Sequence, residues 1–348
     1  MKTTVKILSL LLSLVLLITL VACDVSFDGT TAPSSSEKDE TTIRVGGLKG
    51  PTTIGMVKLM QDSDAGNAAC SYEFSVKAAA DELTPLLLQG KIDIISVPAN
   101  LAAVLYAKTK GQVKVLAVNT LGVQYIVEKG SETVQSMADL RGKTIYASGQ
   151  GTVNEYNMRY LLAESGVDPD SEVTFAWKSE PTEVLAALKM ADNGAVAMLP
   201  QPAVTGALSA VEGLRIAVSL DAAWSSLDNG SRLVTGVTIA RAAFVEEHPA
   251  LVQAFLSEYK ASIEYVNAHP DEMGPVVETY IDTIKGAVAK KAIPACNIAY
   301  MDGDDMKQTL GSYLSVLFSI NPASVGGAMP GADFYYGANP DLPLDQNA

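Results

Sequence analysis

The feature that most restricts the fold of this chain is an alternation of short apolar runs with helix-period segments, played twice. Ile43–Val45, Tyr72–Val76, Ile92–Val97 and Val113–Val118 read as strands. Ile92–Val97 (IDIISV) is nearly continuous and β-branched, as expected of a parallel strand covered on both faces. Between the strands lie helical segments at Ile54–Gln61, Ala78–Gln89 and Leu101–Lys108. The second sets Leu83, Leu86 and Leu87 on one side and is stopped by Gly90; Asn100 is placed to cap the third. This β-α-β-α-β-α-β order predicts a doubly wound α/β lobe.

Gly122–Glu128 (GVQYIVE) is a further strand with no helix before it, and this break marks a crossing to a second lobe. There the alternation resumes: strands at Thr144–Ala147, Val173–Trp177, Ala195–Leu199 and Leu214–Ser219, with helices from Thr152 to about Ser165, Pro181–Ala191 and Ala203–Val211. Leu233–Ala240 reads as the strand returning to the first lobe. Phe244–Val266 reads as one helix, with Leu251, Phe255, Tyr259 and Ile263 recurring every fourth residue. More helices follow to Ile320, and the tail (PASVGGAMPGADFYYG) is expected on the surface of lobe I. The expected fold class is therefore α/β: two doubly wound lobes joined by a two-strand hinge. Lobe I takes 42–120 plus 232–348 and lobe II takes 121–231, with bending near Asn119–Gly122 and Ser231–Leu233.

Composition narrows the function. Hydrophobic residues make up 48% and charged residues 18% of the 348, a packed globular balance. Lys plus Arg is 25 against 39 for Asp plus Glu, a net charge of −14 that argues against a nucleic-acid partner. At the N-terminus, Lys2 and Lys6 precede an apolar run, Ile7–Ala22, short for a membrane span and laid out like an export signal. It ends in Leu20-Val21-Ala22-Cys23, which resembles the bacterial lipobox. That implies removal of 1–22, lipidation of Cys23, and a protein held by lipid alone at the outer face of the bacterial cytoplasmic membrane. A signal with an incidental cysteine, or an uncleaved anchor, are the other readings. Loss of Lys2 and Lys6 takes the charge to −16. Residues 23–41, rich in Ser, Thr and charge, read as a flexible tether. Cys70 and Cys296 form either one disulfide or two separate thiols.

Three segments bear a family resemblance. Leu87-Leu88-Gln89-Gly90-Lys91-Ile92-Asp93, Asp139-Leu140-Arg141-Gly142-Lys143-Thr144-Ile145 and Phe244–Tyr259 (FVEEHPALVQAFLSEY) are similar, in order and spacing, to motifs of ABC-importer substrate-binding lipoproteins. The branch is the nitrate/sulfonate/taurine and thiamine-precursor one, the NMT1/SsuA-like group with the type II periplasmic-binding-protein (Venus-flytrap) fold. The resemblance implies a monomer that traps a small polar or anionic solute between its lobes. It would deliver the solute to a permease driven by a separate ATPase. A sulfonate, a nitrate-like anion, a pyrimidine and a small aromatic acid all suit that description. Two rivals share the fold: an enzyme related to pyrimidine-precursor synthases or chorismate dehydratases, and a surface signalling or adhesion lipoprotein.

In such a fold the ligand lies at the carboxyl ends of the strands. Lobe I then offers Lys49, Gly50, Thr52 and Thr53 at one glycine-broken turn, and Pro98 with Asn100 at another. Lobe II offers Gln150, Gly151, Thr152 and Asn154 at a third, and Gln201 between two prolines. Thr152 and Glu155 are spaced as a capping box, so Thr152 could cap as well as bind. Trp177 and Trp224 either stack on a flat ligand or pack in the core, and Tyr125 is a weaker case of the same choice. Bulky replacements of Thr52 and Thr53 should abolish binding and leave the fold intact. No catalytic residue, cofactor or metal is called for. His248 and His269 each precede a proline at a helix boundary, and neither H-E-x-x-H nor G-x-S-x-G occurs. Asp302-Gly303-Asp304-Asp305 lacks EF-hand spacing and reads as a solvated turn.

Overall fold

A computed structural model describes residues 41–344. The export signal, Cys23 and all but the last residue of the tether lie outside the described residues. The chain runs β1 (Ile43–Leu48), α1 (Pro51–Ile54), α2 (Val57–Asp64), β2 (Tyr72–Lys77), α3 (Ala80–Leu88), β3 (Ile94–Pro98), α4 (Ala99–Thr109), β4 (Val113–Leu121) and then crosses to β5 (Gln124–Lys129). Lobe II continues with β6 (Thr144–Ser148), α5 (Val153–Glu164), β7 (Thr174–Lys178), α6 (Pro181–Met190), β8 (Val196–Pro200), α7 (Ala203–Ala210), β9 (Leu214–Ser219) and α8 (Leu220–Ser225). The return strand β10 (Val234–Arg241) leads to α9 (Ala242–Glu247), α10 (Pro249–Ala268), α11 (Pro270–Tyr280), α12 (Gly286–Ala292), β11 (Ile298–Met301) and α13 (Gly303–Ile320).

The two sheets share one plan. Lobe I is ordered β11-β4-β10-β3-β1-β2 and lobe II β7-β6-β8-β5-β9. In lobe I, β1 is parallel to β2 and β3, while β10 runs antiparallel between β3 and β4. In lobe II, β6 is parallel to β7 and β8, while β5 runs antiparallel between β8 and β9. β10 and β5 each enter from the other lobe, so their reversed direction follows from the crossing; β11, at the lobe I edge, also runs antiparallel to β4.

Helices cover both faces of the lobe I sheet. Ile43, Val45 and Ile94 pack with α2, α10 and α11 on one face; Ile95, Val97 and Val115 pack with α3, α4 and α13 on the other. Phe255 and Tyr259 on α10 are wholly buried, each worth roughly 1.5–3 kcal/mol on transfer from water. The expected single helix over Phe244–Val266 is broken at His248, which takes φ −129°, ψ 53°. Pro249 disfavours helical backbone in the residue before it. The tail is also not superficial: Phe334 and Tyr335 are buried, and the Tyr336 amide donates to the Val115 carbonyl at 2.9 Å. Asp302–Asp305 is not a free turn but the start of α13, and Asp304 Oδ1 accepts from the Asn339 amide at 2.6 Å. Cys70 and Cys296 are not joined in a disulfide, and burial pushes the Cys296 thiol up to about 12.

At the end of the lobe I sheet where β1 begins, Asp93 is buried between two arginines. Arg44 donates through Nε and Nη2 (2.8 and 2.7 Å) and through its backbone amide (3.1 Å), and Arg241 adds Nη2 at 2.6 Å. Burial alone would raise the Asp93 pKa, but these bonds outweigh it and hold the carboxyl below its usual range. The acidic residue that closes the Leu87–Asp93 motif is therefore a staple joining β1 and β10 to the start of β3.

Candidate functional site

Strand register locates the site. Gly236 on β10 lies opposite Pro98 and Thr120, near the carboxyl ends of β3 and β4. Gln124, the first residue of β5, lies opposite Pro200, the carboxyl end of β8. Only Gly122 and Val123 separate β4 from β5. The carboxyl ends of the parallel strands in the two lobes therefore flank one crossing. Asn119–Leu121 belong to β4, so the freely linking residues of this crossing are fewer than Asn119–Gly122.

On the lobe I side, β1 turns at Lys49-Gly50 into α1. Pro51 takes the first helical position, where its missing N–H is no loss. Thr53 is fully buried and Thr52 is 7% exposed, and neither hydroxyl has a hydrogen-bond partner among the described residues. Two glycines make room for them. A Cβ on Gly47 would stand 2.5 Å from Thr53 Oγ1, and one on Gly236 would stand 2.4 Å from Thr52 Cγ2. Both threonines are thus seated in the lobe, and bulky replacements would disturb its packing rather than leave it intact. Lys49 Nζ bonds the exposed Asp282 at 2.7 Å. Pro98, half-buried, precedes α4. Asn100 is not the cap of α4; it lies in the first turn and donates to the Ser324 carbonyl at 3.3 Å.

On the lobe II side, Gly149 and Gly151 take φ +86° and +75° in the turn after β6, which suits glycine. Thr152 caps α5: its Oγ1 accepts from the Asn154 amide at 3.3 Å, and Glu155 reaches back to the Gly151 amide at 2.8 Å. Gln150, Gly151 and Thr152 are exposed, and the Asn154 side chain lies over Gly149. Gln201 is buried, with Oε1 accepting from the Thr205 amide and hydroxyl at 3.2 and 2.8 Å, which caps α7. Trp177 is half-buried and stacked on Phe175, centroids 5.1 Å apart. Trp224 is a core residue: fully buried, its Nε1 donates to Ser231 Oγ at 2.9 Å.

Beneath Thr52 lies a polar cluster within the sheet. Asn119 Nδ2 donates to Thr238 Oγ1 (3.0 Å), Thr120 Oγ1 donates to Asn119 Oδ1 (2.9 Å), and Ser96 Oγ lies 3.1 Å from Thr238 Oγ1. Tyr259 OH is 3.4 Å from Thr238 Oγ1, and burial pushes its pKa up to about 12. The signal was present in the sequence as polar residues interrupting apolar runs, Ser96 in IDIISV and Thr238 in LVTGVTIA. Gln124, 3% exposed and with no partner for Oε1 among the described residues, carries the same signal within GVQYIVE.

The lobes touch at the crossings, through α13, and where α12 meets α7, with Val288 beside Gly206. Tyr125 OH donates to the Ala295 carbonyl at 3.1 Å, and Asn297 Nδ2 donates to the Gly122 carbonyl. Asp221 is half-buried beside Gly122; burial raises its pKa against the pull of Arg232 and the Gly122 amide. Tyr313 on α13 donates to Asn157 Oδ1 of α5 at 2.9 Å and packs on Trp224.

Residues 123–273 match the family model described as NMT1/THI5 like. An ABC transporter protein of Parabacteroides distasonis is similar in structure over 88% of this chain and 100% of its own, with a TM-score of 0.70 and 24% identity. The Escherichia coli periplasmic aliphatic sulphonate binding protein SsuA is similar over 84% and 90%, with a TM-score of 0.66 and 13% identity. The chain has the periplasmic-binding-protein fold. A Candida albicans protein described as having the generic form of that fold is similar over 88% and 98%, with a TM-score of 0.55 and 15% identity. No curated protein matches in sequence. In this fold, the turns at Lys49–Thr53 and Gln150–Asn154 occupy corresponding places, each after the first parallel strand of its lobe.

A substitution separates binding from packing at Thr52. Thr52→Val keeps the shape and removes a buried hydroxyl that has no partner, so unfolding stability should stay within about 1 kcal/mol or rise. Solute affinity should fall if this hydroxyl bonds the solute, as read by calorimetric titration beside a urea melt.

Proposed function

We propose that this protein is an extracytoplasmic solute-binding lipoprotein. It captures a small polar or anionic solute between its lobes and hands it to an ABC importer permease. The observation that carries this reading is the duplicated plan: each lobe sets a glycine turn and a polar helix start at the carboxyl end of its first parallel strand, on either side of one crossing. Fold similarity to a sulphonate-binding protein supports the reading. Bending at Gly122–Val123 and before β10 would close the lobes on the solute, and the closed face would be read by the permease. Lipid attachment through Cys23 would keep the protein at the membrane. The chain itself performs no chemistry; His248 and His269 stand at helix junctions on the α9–α10–α11 side of lobe I.

The test combines native mass spectrometry of the protein as purified with a melting-temperature screen against small sulfonates, nitrate, pyrimidines and aromatic acids. A retained small molecule, or a rise of several degrees with one solute class, is expected. That solute should also lower the radius of gyration in solution scattering. A protein that retains nothing and responds to no solute would refute the reading.

A further inference from the structure

The two lobes carry a second correspondence that concerns charge. Counting from the crossing strand, lobe I runs β10-β3-β1-β2 and lobe II runs β5-β8-β6-β7. β2 and β7 are thus equivalent outer strands, roughly 14 Å from the crossing strand at the usual strand spacing. Each ends in lysine. Lys77 lies opposite Leu48, one residue before the Lys49–Thr53 turn, and Lys178 lies opposite Ser148, directly before the Gly149–Thr152 turn. The Lys49 amide donates to the Lys77 carbonyl at 2.9 Å, which ties that strand end to the turn.

Both lysines are half-buried, and neither ammonium has a carboxylate partner among the described residues. Two of the acids at the next helix starts are already engaged, and the other two, Asp81 and Glu180, pair with neither lysine among the described residues. Glu82 accepts from the Ala78 and Ala79 amides at 3.1 and 3.2 Å, and Glu183 accepts from the Ser179 amide at 3.0 Å. Lys49, the neighbouring cation, is taken up by Asp282. In a chain of net charge −14, two unpaired cations at equivalent strand ends are positioned to offset the general negative field locally.

We propose that Lys77 and Lys178 are matched anion-recognition residues, one from each lobe, and that the solute is an anion rather than a neutral polar molecule. This rests on the solute-binding reading above. With the lobes apart, each lysine attracts the anion to its own strand end; with the lobes closed, the two ammonium groups flank it.

The probes are ethanesulfonate, nitrate and benzoate, with uncharged dimethyl sulfone and benzamide as controls, titrated calorimetrically at low and high salt. At least one anion should bind, more weakly at high salt. Lys77→Gln and Lys178→Gln should each lower its affinity about tenfold, a typical loss for one charge-assisted contact. Lys77→Arg should retain most of it, and melting temperatures should stay unchanged. Anion binding that is indifferent to both glutamine variants, or a clear preference for the uncharged probes, would overturn the proposal and leave solute binding standing. A protein that binds none of the five, and that also retains nothing on purification, would overturn both.

Discussion

Replacing Asp93 by alanine is expected to cost about 3–5 kcal/mol, because it leaves two guanidinium groups facing each other without their shared counter-charge. The carboxylate is 1% exposed and takes four bonds from Arg44 and Arg241, and Arg241 Nε already lacks a partner. Urea unfolding followed by circular dichroism would read the loss; in a chain of this size the melting temperature should fall on the order of 10 °C. Asp93→Asn keeps the shape and should cost less than the alanine variant.

The same site sets a pH dependence. Asp93 is held below the usual carboxylate range. Glu128, wholly buried in lobe II, feels burial pushing it up, but bonds from Thr133, the Val134 amide and Arg215 bring it down to about 2. A carboxyl with a depressed folded-state pKa stabilises fully above its unfolded value, about 4. Between there and its folded value the unfolded chain binds more protons, so stability drains away as the pH falls. Stability should be level above pH 5 and drop steeply from about pH 4 toward 2, and Asp93→Asn should flatten part of that slope.

The second large effect is expected at Gly236. An alanine there would place its Cβ 2.4 Å from Thr52 Cγ2 and 2.7 Å from Asn119 Oδ1, contacts that a short β-branched side chain cannot swing away from. Overpacking of this kind costs about 1–3 kcal/mol. Thr52→Ser deletes the contacted methyl group, so the double variant Gly236→Ala/Thr52→Ser should recover part of the loss. An unfolding double-mutant cycle that finds the two changes additive would show that the strain does not pass through this contact.

These two sites illustrate what could be read in advance. Asp93 stood out as the last residue of a motif, but its partners Arg44 and Arg241 are 49 and 148 residues away, and nothing local pairs them. Thr52 and Thr53 read as residues of an open turn. Thr53 is seated over Gly47 of β1, and Thr52 is covered by β10, which arrives after the whole of lobe II has been traversed. Thr152 behaves as its capping-box spacing implied, because a cap is decided within four residues of chain. Asn100 does not, because Pro98 already precedes the helix and the Asn100 amide finds the Ser324 carbonyl across the lobe. β11 and α8 left too short an apolar signature to be read at all.

The sequence by itself determined the α/β class, the two-lobed alternation with its crossing near Gly122, and the glycine turns after the first strand of each lobe. These are short-range matters of period, break and cap. Only the tertiary structure decided which side chains at those turns are open and which are sealed. It buried Thr52 against β10 and Thr53 over β1, placed Trp224 in the core, and left Lys77 and Lys178 without a carboxylate partner among the described residues at matching strand ends. The physical reason is that exposure and charge pairing depend on what the far chain packs against a residue, and that is set by strand order rather than by neighbours in sequence.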